Sequence, residues 1–357
     1  MKIIGYIGAF AILAFLMSAC QKPLAREISF AGGGLEMPLG ASIYPDVYAR
    51  PSRAEIVFSS SDESVFVVMG SQIKSVGEGE ALLTASSLDG TVSASCVVRV
   101  DRTLGIGSFT VNQGGKIISF ATGNLQGEVL ALSPDVKVSW KLADRQSHYL
   151  GVDSCNEVPE IGKTADLFGR SKTSLAYGVG TGDSFMQIGV SESGAAADWC
   201  SDIGGLWRVL DDDEWRYLAE KRRCSKVGDT ENARFCRAVV DGISGLVLFP
   251  DVMIWPEDIP VPKNINEEVL SISSTGSYGN DEWCQLENSG CIFLPACGYK
   301  DYEPDARYGV MGSYWASGVS GSWRQLSCFY FDEDDVSYLA LYLSKPAGCA
   351  VRLARDL

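Results

Sequence analysis

Histidine is almost missing from this chain: His148 is the single one in 357 residues. A Ser-His-Asp or Cys-His catalytic arrangement would have to pass through it, and its surroundings, "RQSHYLG", hold no nucleophile elbow. No two cysteines show C-x-x-C spacing, so zinc lacks a ligand supply, and neither metal nor cofactor is expected. Basic charge is also scarce. Thirty Lys and Arg face 45 Asp and Glu, a net charge of −15 with no basic cluster, which repels phosphate backbones and excludes nucleic acid as a partner. The stretch Gly178-Val-Gly-Thr-Gly182 lacks the Lys-Ser/Thr of a phosphate loop and reads as an ordinary loop. No paired-carboxylate motif points to glycoside hydrolysis. Long stretches without apolar residues are missing too, which argues against extended disorder. These absences lead to the expectation of a protein that is not an enzyme.

What is present begins with Lys2, the apolar run at 3–16 and "LMSAC" ending at Cys20. Fourteen apolar residues are short for a membrane span. The pattern resembles a bacterial lipoprotein signal peptide (1–19), which implies cleavage before Cys20 and acyl chains on that cysteine. Residues 20–26 would form the lipidated tether. Gln21 follows the cysteine where inner-membrane sorting would place aspartate, so the resemblance implies the outer membrane, with either face open. Ten further cysteines remain, nine of them beyond residue 150. An exported compartment and an even count favour some disulfides in the second half, with the rest as buried thiols.

Two lengths of chain differ in character. Residues 27–100 alternate apolar and polar positions between turn signals. Ala81, Leu83 and Ala85 share one face, as do Val92, Ala94, Cys96, Val98 and Val100, with the hairpin signal Asp89-Gly90 between them. This spacing predicts a β-sandwich. The order Phe58…Asp62, Val65, Val67, Gly70…Ile73…Val76, Gly79, Ala81 and "CVVRV" at 96–100 resembles the bacterial Ig-like group 2 domain, which implies a spacer or display module. Residues 101–108 form a short joint, and all eight tryptophans lie in the remaining 109–357.

Within that second part, "WRVLDDDEWRYLAEKRR" (207–223) carries four consecutive acidic residues. Asp211 is a good N-cap with Glu214 at capping-box spacing, and Asp212 and Asp213 fall in the first turn, where the helix dipole favours anions. The spacing predicts a helix start. The same residues, with "GCIFLPACGY" (290–299), "GSYWAS" (312–317), "CAVRL" (349–353) and "ISFATGNLQ" (118–126), resemble the FISUMP-type major paralogous domain of gut bacterial lipoproteins. That group is related to the formylglycine-generating-enzyme/sulfatase-modifying superfamily. The resemblance implies a C-type-lectin-like fold: two helices around a small antiparallel sheet with long loops. The expected fold class is therefore multidomain, an all-β Ig-like sandwich followed by an α+β C-type-lectin-like domain. Superfamily members that oxidise substrate cysteine hold copper on a cysteine pair near the C-terminus. Here Cys328 and Cys349 lie in a pattern that does not match, and they could equally form a disulfide between neighbouring strands.

Asp332-Glu-Asp-Asp335 between "CFYF" and "VSYLALYL" reads as a hairpin turn, with calcium as the lesser alternative. By the same resemblance, Tyr314, Trp323, Tyr330 and Tyr338 occupy the segment where C-type-lectin-like folds expose their binding face, and could stack on sugars or anchor a protein. The expected function is an outer-membrane lipoprotein, anchored to the membrane through lipid, that displays a head for a protein or glycan ligand at the cell surface. The alternatives are a structural subunit of a fibre or envelope complex and an enzyme of the formylglycine-generating type.

Overall fold

Period-two alternation becomes β-structure where the sequence carries it. In the computed structural model, which describes residues 23–131, 137–153, 160–170, 187–188, 203, 207–267, 275–299, 307–317, 328–337 and 348–357, strands far outnumber helices. In Gly79–Ser87 the side chains of Ala81, Leu83 and Ala85 are buried, while Glu80 and Leu82 face solvent. In Ser93–Val100 the buried set is Cys96, Val98 and Val100. Gly90, at φ +69°, takes the left-handed turn position, and its N–H donates to the carbonyl of Ser87 at 2.9 Å. The lipidation candidate Cys20, the Gly178–Gly182 stretch, Trp323 and Tyr338 lie outside the described residues. Among the described residues no helix is long and apolar enough to cross a membrane.

The chain divides into two compact units whose boundary does not follow sequence order. The smaller comprises residues 1–36, 43–74 and 79–99, and its regular elements among the described residues are strands. One sheet runs in the order Gly34–Met37, Ser93–Val100, Gly79–Ser87, Ile56–Ser60. A two-stranded ribbon pairs Glu27–Phe30 with Val47–Arg50, and a third sheet orders Ser42–Ile43, Gln72–Ser75, Phe66–Met69.

The larger unit comprises residues 37–42, 75–78 and 100–357. Its 37–42 segment is deeply built in: Met37, Leu39 and Ala41 are buried, and Leu39 bridges Ile106 in parallel. The N–H of Gly107 donates to Leu39 O at 2.7 Å, and the N–H of Ser42 donates to Ser108 Oγ at 3.0 Å. Three backbones meet here without side chains. A Cβ on Gly40 would sit 2.2 Å from Gly290 Cα, and one on Gly107 would sit 2.5 Å from Gly290 O. Only glycine permits that approach.

Beyond this crossing, a four-stranded sheet orders Gly276–Tyr278, Phe235–Val240, Ile243–Leu248, Ile292–Pro295. The hairpin Phe235–Leu248 turns on Asp241 and Gly242, both at positive φ (51° and 80°), as a two-residue turn of the right hand requires. Gly312–Trp315 is buried on both faces. Tyr314 packs with Phe329, Phe331 and Trp215 on one side, and Trp315 packs with Cys328 and Cys349 on the other. The last strand, Ala354–Asp356, closes on Ile117–Phe120 with Ile118 opposite Asp356.

Candidate functional site

The acidic run starts a helix. Asp211 Oδ1 accepts the Glu214 N–H at 2.8 Å and Glu214 Oε2 accepts the Asp211 N–H at 3.0 Å, a complete capping box ahead of Asp212–Arg216. The following residues, Tyr217–Lys221, continue as a π turn that buries Leu218 and Ala219. Glu214 is also the centre of an ion-pair cluster. Arg208 donates to both of its oxygens at 2.6 and 2.7 Å, Lys116 Nζ reaches it at 3.1 Å, and Arg208 Nη2 continues to Asp356 at 2.8 Å.

Burial opposes ionisation of Glu214, but the Arg208, Asp211 N–H and Lys116 bonds outweigh it and hold the carboxyl below its usual range. Asp211 shifts the other way, raised chiefly by burial. An acid with a depressed folded pKa stabilises fully above its unfolded value, about 4.3, and loses that contribution as pH falls through the folded value. Glu214→Gln should therefore cost about 1–3 kcal/mol at pH 7 and progressively less below pH ~4. Urea unfolding of both proteins at neutral and acid pH checks this, and a gap that does not shrink in acid would refute it.

The hairpin Cys328–Phe331 to Val336–Ser337 carries the described part of the expected ligand segment. It runs antiparallel to Gly312–Trp315, placing Tyr330 opposite Ser313 and Ser337. Residues 332–335 make the turn. Asp332 Oδ1 accepts the N–H groups of Asp334 and Asp335 at 3.0 and 3.1 Å, and its other oxygen lies 3.5 Å from Arg307 Nη1. From beneath, buried Arg237 donates to Asp335 O at 2.7 Å. Burial lowers the pKa of that guanidinium, while the carboxylates of Asp332, Asp335, Asp334 and Glu333 support its charge. Asp332 therefore faces backbone N–H groups and Arg307, while the charge of Arg237 lies beneath the whole acidic turn and Glu333 and Asp334 are exposed. A cavity of about 100 Å³ adjoins it, lined by Arg237, Ser244, Thr275, Phe331, Asp332 and Glu333 among others.

The expected ligand residues separate. Tyr330 is half-buried beside this turn, its hydroxyl donating to Asp335 Oδ2 at 3.2 Å, and burial raises its pKa so that it stays neutral. Tyr314 has no exposed surface, and its hydroxyl donates to Pro295 O at 2.8 Å. That corrects its assignment to a binding face. It is the central strand's inward residue, and its ring stacks in the core with Phe331 at 6.4 Å. Arg237 and Arg307 were not among the residues picked from sequence. The readable signal was an arginine inside the apolar strand "FCRAVV", which must find partners if buried.

The expectation of disulfides is not met among the described residues, whose eight cysteines are free thiols. Cys328 and Cys349 are not on neighbouring strands. Cys328 pairs with Trp315, while the 348–350 segment flanks the opposite edge of the same strand. Two strand spacings separate them, about 10 Å, beyond the ~7 Å Cα reach of a disulfide. Burial raises the pKa of Cys236 and pushes that of Cys297 up to about 12, so these thiols stay protonated. His148 is exposed just past a turn. Among the described residues no three His, Cys, Asp or Glu side chains converge as metal ligands. No protein-family model matches the chain, and no curated protein matches it closely enough to assign a relationship.

Proposed function

We propose that this chain is a non-catalytic envelope lipoprotein, held by acyl chains on Cys20, whose C-terminal unit binds a protein or glycan ligand at the cell surface. Its Ig-like module serves as spacer, and the larger unit takes the C-type-lectin-like role. Motif order supports this reading, from the lipoprotein-type leader to the FISUMP-type anchors that resemble a display family. The observation that carries it is the Cys328–Ser337 hairpin. Its turn is held from below by Arg237 and Arg307 and presents half-buried Tyr330 next to Asp335. An aromatic ring and a carboxylate on a pre-organised turn suit a ligand that offers hydroxyls or amides over an apolar face.

The test is binding of the full chain to a glycan and envelope-protein array, beside Tyr330→Ala and the pair Trp323→Ala, Tyr338→Ala. A reproducible hit lost in these variants with an unchanged melting temperature is the expected result. A hit that survives all three changes would show that none of these three side chains binds the ligand. No hit, with the intact protein co-purifying in a stable envelope assembly, replaces the reading with a structural subunit.

A further inference from the structure

The smaller unit buries Phe66, Ile73, Leu83 and Val98 fully but leaves one part of its apolar interior incompletely covered. One cluster buries Ala25, Ile28 and Ala85, with Phe30, Val47, Ile56 and Phe58 only partly buried around them. Part of that apolar surface opens into a groove of about 710 Å³. Ile56, Val57 and Phe58 all line it, facing Tyr44, Val47 and Val68 across the gap. Successive strand residues point to opposite faces, so three in a row lining one groove means that it runs along the strand's edge.

Both sides of the groove offer unpaired backbone. Ile56–Ser60 hydrogen-bonds along one edge to Gly79–Ser87, and Val47–Arg50 along one edge to Glu27–Phe30. Among the described residues neither has a strand partner on its other edge. Exposed edges are usually blunted by charge or proline. Here Val57, the second residue of Ile56–Ser60, is 51% exposed and Tyr44 on the rim is 69% exposed, while Pro45 and Glu55 line the groove just outside the two strands.

We propose that this groove is a docking site for an extended polypeptide strand that adds to the Ile56–Ser60 edge and places alternate apolar side chains over Ile56, Phe58 and Val68. Unpaired backbone N–H and C=O groups select an extended peptide over a lipid or sugar, because only a strand satisfies them in register. A net charge of −15 on each chain opposes a second copy, so the occupant is a different polypeptide, neutral or basic, with apolar residues at every second position. The site is independent of the ligand face on the larger unit, and it gives the spacer a binding role of its own.

The probe is a fluorescent peptide of alternating valine and threonine flanked by lysines, titrated onto the full chain. A second peptide has the same sequence with alternate amides N-methylated, which removes one edge's donors. The first peptide should bind and slow hydrogen exchange at Ile56–Ser60, and the methylated one should bind at least roughly tenfold more weakly. Val57→Lys, at an exposed position, should weaken binding by a similar factor without moving the melting temperature, and Tyr44→Ala should weaken it less. Equal binding of both peptides would reduce the effect to apolar adsorption and overturn the proposal. So would undiminished binding to Val57→Lys, or no binding by either peptide.

Discussion

Replacing Arg352 by methionine is expected to lower the unfolding free energy by about 3–5 kcal/mol. Arg352 is fully buried, and burial lowers its pKa to about 10, still well above neutrality, so it is a cation inside the core. It is held by acceptors from three distant parts of the chain. Nε donates to Asn124 Oδ1 at 2.9 Å, Nη1 to Gln146 Oε1 at 3.2 Å, and Nη2 to Phe293 O at 2.8 Å. Gln146 then donates through Nε2 to Glu287 Oε1 at 2.9 Å, and Glu287 pairs with Arg102 at 2.7 Å. Methionine fills much of the volume and supplies none of the donors. Each orphaned acceptor costs about 1–3 kcal/mol, offset in part by no longer desolvating the guanidinium. Denaturant unfolding monitored by tryptophan fluorescence measures it. A loss under ~1 kcal/mol would mean that water replaces the guanidinium, and the network would then be ornamental to stability.

Gly290→Ala is expected to cost about 2–4 kcal/mol, from two sources that add. The residue sits at φ +96°, which an L side chain resists, and its Cβ would lie 2.5 Å from Gly40 O and 3.2 Å from Gly107 Cα. These neighbours, with Gly40 C at 3.1 Å, are all backbone, so no rotamer change relieves the contact. Gly242→Ala provides the contrast, because its φ is also positive, at +80°, but nothing lies within 4 Å of its Cβ. That variant should lose only the conformational part, about 1–2 kcal/mol. Thermal melts of the two variants side by side separate close approach from backbone strain. Equal losses would show that the crossing has room to open.

Much of this was legible in the residues. Alternation placed Ala81, Leu83, Cys96 and Val98 on an inward face, and the spacing of Asp211 and Glu214 marked the helix start that both reciprocal hydrogen bonds now form. Period and capping are local properties, so a single sequence displays them. Asp241-Gly242 is as readable a hairpin turn as Asp89-Gly90. What stayed hidden depends on partners far along the chain. Tyr314 looked like a ligand contact because tyrosine suits both a binding face and a core, and only the strands on either side of it decide between them. The pairing of Cys328 with Cys349 failed for the same reason, since strand order across a sheet is not written in either cysteine's neighbourhood. Arg222 is similar. Its guanidinium is buried against Asp251 at 2.9 Å and lies 5.1 Å over the Phe109 ring, yet nothing in "EKRRC" distinguishes it from the exposed Arg223 beside it.

The interleaving of residues 37–42 with Gly107 and Gly290, and of Ile118 with Asp356, also sets a schedule. Ile117–Phe120 is synthesised long before Ala354–Asp356, and residues 37–42 long before Gly290, so these pairings wait for the chain between them. Contacts of such long sequence separation slow folding, and they leave Met37, Leu39 and Ala41 uncovered in the interim. A variant cut before Ala354 would leave the Ile117–Phe120 strand without its Ala354–Asp356 partner.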